Sequence, residues 1–478
     1  MKMRPQLLPD TPRLFEVLRR ARKPGERHLM APGRQVSFDE ITRSTTLERP
    51  FETFGRRVLV WTSSQLAAAL AMIELDGRAS LMLLAPPDIA GAHLPTLLQT
   101  AAIDLVVTDR VGADRDSIGD CEVVACLDAP RPFAHTAETA RTTDWVLATS
   151  GTTGAPKLVA HSLAALTGAI RSAPAPEHGT VWATFYDIRR YGGLQIFLRA
   201  MLGGTSLVLS DEHESPSDHL VRLAEAGATH ITGTPSHWRR ALMSPEVSRL
   251  SPRYVRLVRW SSWLAPDLSG EIADQPTLDM LRVAFPQARI GHAYASTEAG
   301  VGFEVDDGKA GFPASYVGRR GSVEMKVADA TLRIRSDRTA TRYLGDTPPA
   351  LHDADGFVDT GDIVELKGDR YFFVGRQGGI INVGGQKVHP EEIEAVINEH
   401  TLVRMSLARA QRNPLTGAIV VADVVAADGV SENDHAHLSE EIAGLCRSRL
   451  ARHKVPVIIR FVPSLPMTAG GKLRRSNA

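Results

Sequence analysis

Cysteine is scarce: Cys121, Cys126 and Cys446 are the only three in 478 residues, which argues against a disulfide framework and fits a reducing compartment. The Cys121/Cys126 spacing matches no common zinc pattern and the sixteen histidines are scattered, so no zinc site is expected. Charge of one sign is not in excess, since Lys+Arg and Asp+Glu both number 55. That removes any sequence-independent pull towards nucleic acid or acidic membranes. Long apolar runs are lacking as well. The best, Ser80 to Leu84, is followed by Pro86-Pro87 and His93, far short of a membrane span. Asp10, Arg13 and Glu16 follow the first residues too soon for a signal-peptide apolar region. These absences lead us to expect a cytoplasmic protein with no membrane and no nucleic acid as partner.

The length exceeds one ordinary core, so two or more domains are expected. Residues 1–56 are Pro- and Arg-rich with weak periodicity and read as a peripheral lead-in. From Arg57 the rhythm is regular: strand Val58–Trp61, helix Gln65–Glu74 capped by Ser63 or Ser64, strand Ser80–Leu84, helix Pro95–Ala102, strand Asp104–Val107. The same alternation runs from Ser162 to Met243, which predicts a largely parallel α/β architecture. Residues 318–376 change to short alternating runs, a small β subdomain. A Gly-rich break, Gly375-Arg376-Gln377-Gly378-Gly379, then separates a compact unit of about a hundred residues, an ordinary domain size. The expected fold is α/β: a large N-terminal domain of α/β layers with a small β subdomain over residues 1–376, and a small mobile α+β domain over 377–478.

Against this scaffold one run is conspicuous: Thr149-Ser150-Gly151-Thr152-Thr153-Gly154-Ala155-Pro156-Lys157. Hydroxyls, glycines and a lysine make a poor helix and a good lining for an anion, phosphate above all. It is not a Walker A loop, because Ala155-Pro156 separate Gly154 from Lys157, and it forms no Gly-x-Ser-x-Gly nucleophile elbow. Further clusters are Tyr294-Ala295-Ser296-Thr297-Glu298, whose carboxylate suits Mg²⁺ shared with substrate phosphates, and Asp359-Thr360-Gly361-Asp362, whose acids suit ribose hydroxyls. Gly375-Arg376 and Lys472 supply cations. Taken singly, each reads equally as a turn, a surface acid or a solvated charge.

In this order and spacing the motifs resemble the adenylate-forming (ANL) superfamily of acyl- and aryl-CoA synthetases, peptide-synthetase adenylation domains and luciferases. The resemblance also covers Gly384-Gly385-Gln386-Lys387-Val388-His389-Pro390-Glu391-Glu392-Ile393-Glu394 and Gly471-Lys472-Leu473-Arg474. It implies two steps: a carboxylate attacks the α-phosphate of MgATP to give an acyl-adenylate and pyrophosphate, then a thiol takes the acyl group and AMP leaves. It also implies roles. Thr149, Ser150, Gly151, Thr152, Thr153, Gly154 and Lys157 would cradle the β/γ-phosphates; Thr297 and Glu298 would meet the α-phosphate and Mg²⁺, with Glu298 as metal ligand. Tyr294, Ala295 and Ser296 would flank the nucleotide, Tyr294 facing adenine, with Ser269-Gly270-Glu271 beside adenine and the acyl pocket. Asp362 would bind the ribose with help from Arg376, and Lys472 would bridge carboxylate and α-phosphate. Because two anions must meet, a lysine and Mg²⁺ aimed at the developing charge are the direct remedy, and a mobile domain lets the lysine withdraw for the thiol.

Tyr186, Tyr191, Gly192, Thr234 and Ser269 are the expected substrate-pocket residues. The neighbouring Asp187, Arg189 and Arg190 read as a solvated turn, with recognition of a polar group as the alternative. Ala295 stands where the family has glycine, Gly378 occupies the hinge position, and Trp260-Ser261-Ser262-Trp263 reads as extra sequence. Leu202-Gly203-Gly204-Thr205-Ser206 imitates a carrier-protein attachment serine but lies inside the α/β core. The thiol is therefore expected from coenzyme A, or from the phosphopantetheine of a separate carrier protein. A non-catalytic nucleotide binder is a third reading.

Overall fold

In the computed structural model the described residues are 13–467 and 473, without 22, 88, 90, 111–114, 136–140, 150–155, 172, 174, 212, 262–270, 346–347, 377–378, 384–385 and 414–416. Side chains at 115, 116, 128, 258–261, 382 and 417 are likewise outside the description.

Two eight-stranded sheets form the body. In one, Arg57–Val60 pairs in parallel with Leu81–Leu84 and Leu105–Thr108, and Leu81–Leu84 with Asp144–Thr149. In the other, Val181–Thr184 lies in parallel between Ser206–Val208 and His230–Gly233, followed by Tyr254–Ser261 and Arg289–Ser296. The parallel order ends in each sheet with an antiparallel hairpin, Asp144–Thr149 with Lys157–His161 and Arg289–Ser296 with Gly300–Val305. These two hairpins carry the first two motif clusters.

Helices Gln65–Leu75 and Tyr191–Gly203 contribute to a core shared by both sheets. Every residue of the first except Ala67 is buried, as expected of a helix apolar all round. Ser64 caps it, its hydroxyl accepting from Leu66 and Ala67 N–H. Core side chains come from strands of both sheets, among them Trp145, Leu147, Ala293 and Ala295. Each fully buried aliphatic side chain contributes about 1.5–3 kcal/mol.

The lead-in is not peripheral. Leu14, Leu18, Leu29, Val36, Phe38 and Ile41 belong to the same core, and His28–Ala31 with Arg34–Ser37 add two strands to the second sheet. The periodicity is weak because each element is only four to six residues long and buries one or two apolar groups. Trp260 and Ser261 are likewise no insertion: they pair with Ala295 and Ser296 at the end of a strand, while Ser262 and Trp263 lie outside the described residues. Ser206 is buried in its strand, its hydroxyl accepting from His28 N–H at 3.1 Å, so it cannot be a carrier attachment site.

A five-stranded antiparallel sheet forms the β subdomain, with Val358–Lys367 between Thr331–Ser336 and Arg370–Arg376. The last hundred residues have their own core of Ile393, Ile397, Val420, Ala422, Ile442 and Cys446. There Gly417–Ala426 lies antiparallel to Val403–Asn413 and parallel to Ile458–Phe461, with helices Pro390–Ile397 and His435–Arg449 against them. Among the described residues no helix is long and apolar enough to cross a membrane.

Candidate active site

Thr149 and Lys157 face each other across the first hairpin, and the Thr149 hydroxyl donates to the Lys157 carbonyl at 3.3 Å. The hydroxyl-rich loop therefore joins two antiparallel strands rather than a strand and a helix, which agrees with the departure from Walker A. Ser150, Gly151, Thr152, Thr153 and Gly154 lie outside the described residues. Lys157 Nζ sits 5.7 Å from the centre of the Tyr343 ring. Burial lowers the lysine's pKa, and the negative charge of Glu298 opposes that shift.

Glu298 lies in the turn of the second hairpin. The Ser296 hydroxyl accepts the Ala299 N–H at 2.8 Å and the Glu298 carbonyl accepts the Ala340 N–H at 2.8 Å. Gly300 closes the turn at φ +73°, and a Cβ there would fall 2.2 Å from the Arg338 carbonyl oxygen, so only glycine fits. The Glu298 side chain is 1% exposed, with Thr297 half-buried beside it. The Tyr343 hydroxyl is pushed up in pKa, by burial first and then by Glu298. One carboxylate, one lysine and one phenol thus lie within electrostatic reach of one another where the two sheets end in hairpins. No group of three metal-ligating side chains occurs among the described residues. A single carboxylate fits Mg²⁺ that takes its remaining ligands from phosphates and water.

A second constellation is sealed. Asp362 and Arg376 pair across neighbouring strands, with Arg376 Nε 3.2 Å from Asp362 Oδ1. Arg376 Nη2 also donates to the Thr360 carbonyl at 3.1 Å, and the Tyr294 hydroxyl donates to Asp362 Oδ2 at 2.6 Å. Asp362 is 0% and Arg376 3% exposed. The Tyr294 ring stacks on Phe303 and Phe373 and is buried. Its hydroxyl orients the carboxylate. Ala295 and Ser296 continue the same strand, both buried.

Glu271 joins a third. Its carboxylate accepts the Ser236 N–H at 2.7 Å and the Leu473 N–H at 3.3 Å. Thr234 caps helix Pro235–Leu242 through a box with His237, and the His237 ring lies 5.5 Å from Tyr186. Tyr186, Tyr191 and Gly192 are buried in the main core. Ser269, Gly270 and Lys472 fall outside the described residues, as do Gly378 and the tail beyond Leu473.

Residues 54–340 match the family model described as AMP-binding enzyme, and residues 392–472 match that of the AMP-binding enzyme C-terminal domain. The chain belongs to the AMP-binding enzyme family. It is an adenylate-forming ligase of the ANL superfamily, acyl-CoA synthetase-like. Two relatives are 2-succinylbenzoate–CoA ligases: that of Listeria monocytogenes is 26% identical over 69% of this chain and 68% of that one. That of Listeria innocua is 24% identical over 95% and 96%. The structure of an anthranilate CoA ligase in complex with anthranoyl-AMP superposes with a TM-score of 0.78 at 17% identity, covering 98% of this chain and 96% of that one.

Two side chains of this AMP-binding enzyme's site, Tyr343 and His161, went unnoticed in the sequence. Tyr343 belongs to a two-residue strand paired with Lys157–His161, too short to register as a pattern. His161 is buried beside Tyr191, with ring centres 5.5 Å apart, and against the Thr297 backbone; burial holds its pKa down to about 3, so it is neutral. Arg189 corrects the solvated-turn reading. It is 1% exposed and binds Asp187 with Nε at 2.8 Å and Nη2 at 2.5 Å, while Nη1 reaches the Thr62 carbonyl. Burial alone would raise the Asp187 pKa, but the guanidinium beside it brings the net shift below the ordinary value. An i,i+2 charge pair looks solvated in sequence; here Thr62, on the other sheet's side, completes its burial.

Proposed function

We propose that the enzyme activates a small carboxylic acid with ATP, releases pyrophosphate, and passes the acyl group to the thiol of coenzyme A. The observation that carries this reading is that buried Glu298 and Lys157, the latter over the Tyr343 ring, lie within electrostatic reach of each other at the ends of the two hairpins. A lone carboxylate and a lysine at strand ends suit a polyphosphate whose α-phosphorus must be approached by an anion. Thr149, Ser150, Thr152, Thr153 and Lys157 hold the β/γ-phosphates in this account, and Thr297 orients the α-phosphate. Glu298 would hold Mg²⁺ together with the phosphates, and the ion would neutralise charge on them. Asp362 accepts from the ribose hydroxyls, with Arg376 paired to it. Since Asp362 is sealed, ribose binding at it requires the covering groups to move, and rotation of residues 377–478 against 1–376 is such a motion.

Lys472 donates to the incoming carboxylate and the α-phosphate oxygen, lowering the repulsion between them. The carboxylate oxygen bonds to phosphorus and pyrophosphate leaves. After rotation the thiolate sulfur bonds to the carbonyl carbon, the C–O bond breaks, and AMP departs with that oxygen. The relatives named for 2-succinylbenzoate and the structure holding anthranoyl-AMP place aryl acids first among those to test. The experiment is a panel of aryl and alkyl acids scored by hydroxylamine-trapped adenylate, repeated with coenzyme A and with carrier proteins. Acid-dependent hydroxamate followed by acyl-CoA is expected. Transfer only to a carrier protein would replace the acceptor, and binding of ATP with no hydroxamate from any acid would favour a non-catalytic nucleotide binder.

A further inference from the structure

Met467 and Leu473 are the described residues on either side of the stretch that holds Lys472. They pair in an antiparallel bridge, and the Leu473 side chain packs on Met405, Leu407, Val425 and Leu465 of the C-terminal sheet. The Leu473 N–H turns outward, across to the N-terminal unit, where Glu271 accepts it at 3.3 Å. The other oxygen of Glu271 accepts the Ser236 N–H at 2.7 Å. Ser236 is in the first turn of helix Pro235–Leu242, whose free N–H groups and positive end favour a carboxylate. Glu271 is thereby oriented by a rigid element and spans two units with one side chain.

The contact lies beside a cleft lined from both units. Glu391 and Glu394 of helix Pro390–Ile397 line the same small cleft, of about 50 Å³, as Glu271. Arg239 lines the same cleft and pairs with Asp274 there, so the junction holds charges of both signs. Leu473 directly follows Lys472 in the chain, so this contact ties the residue next to the lysine to the N-terminal unit.

We infer that Glu271 is a positioning residue for acyl-adenylate formation, a latch that holds the Lys472 loop in place for the first half-reaction and lets go for the second. This rests on the role proposed above for Lys472. A hydrogen bond to a carboxylate is strong enough that Glu271→Ala should slow adenylate formation on the order of ten- to a hundredfold. That loss should be at least about tenfold larger than any loss in transfer of the acyl group from supplied acyl-adenylate to coenzyme A, and Glu271→Gln, which retains one acceptor oxygen, should lose less. In a Lys472→Ala background, Glu271→Ala should add no further loss. Equal loss in both half-reactions, an unchanged adenylation rate, or losses that multiply in the double variant would each overturn the latch. Lys472→Ala with full adenylation would overturn the lysine role itself, and the latch with it, whatever Glu271→Ala does.

Discussion

Replacing Arg376 by methionine keeps most of the side-chain volume and strands the carboxylate of Asp362. The pair is sealed from solvent, with Nε 3.2 Å from Oδ1, and removing one partner of a buried pair costs about 3–5 kcal/mol. Two features set where in that range the loss falls. The Tyr294 hydroxyl still donates to Oδ2, which retains one charge-assisted bond. The alternative open to any stranded carboxylate is to take up a proton, which for an ordinary carboxyl at pH 7 costs about 4 kcal/mol and caps the loss. Arg376→Met should therefore destabilise by about 3–4 kcal/mol at pH 7, and by less at pH 5, where protonation is cheaper by about 2.7 kcal/mol. Asp362→Asn combined with Arg376→Met removes the buried charge and should recover at least half of the loss. The assay is urea unfolding followed by tryptophan fluorescence at both pH values, comparing the transition of the N-terminal unit. A single variant within about 0.5 kcal/mol of wild type, a deficit that grows as pH falls, or strictly additive losses would refute the buried-pair reasoning.

The remaining predictions concern the two hairpins. Glu298→Gln should reduce adenylate formation on the order of a hundredfold or more with ATP still bound, and pyrophosphate release at wild-type rate would remove Glu298 from the site. Gly300→Ala places a Cβ 2.2 Å from the Arg338 carbonyl at positive φ and should cost upwards of about 2 kcal/mol. Gly33→Ala, at φ +67° with open space around it, is the control and should cost only about 1 kcal/mol; equal losses would show that crowding at the turn is irrelevant. His161 is held neutral, its folded pKa near 3 lying below the unfolded value near 6.5. The unfolded chain binds the extra proton, so this stability is full above about pH 6.5 and is lost as pH falls towards 3. Between pH 7.5 and 5, wild type should lose about 2 kcal/mol more than His161→Phe, measured by urea unfolding; identical pH slopes would contradict it.

The fold was legible where elements are long and regular. The alternation from Arg57 to Met243 exposes the parallel sheets because each strand is a continuous apolar run buried on both faces. It fails over residues 13–56, where Leu14, Leu29 and Phe38 come from elements too short to show a period. The site was legible as an ordered set of motifs, and Lys157, Glu298, Asp362 and Arg376 do fall into two constellations. What the sequence could not convey is which groups share a space. Tyr294 and Asp362 are 68 residues apart and hydrogen-bonded, and the Asp187–Arg189 turn is buried only because Thr62 lies against it. The same limit hid the contact from Glu271 to Leu473, 202 residues away.

The central claim is that a carboxylate oxygen attacks the α-phosphorus of ATP. It is tested most directly by running the complete reaction with a carboxyl-¹⁸O-labelled acid and examining the products by mass spectrometry. The account predicts one ¹⁸O in the phosphate of AMP and none in pyrophosphate. Label in inorganic phosphate with formation of ADP, or AMP that carries no label while acyl-CoA accumulates, would contradict it.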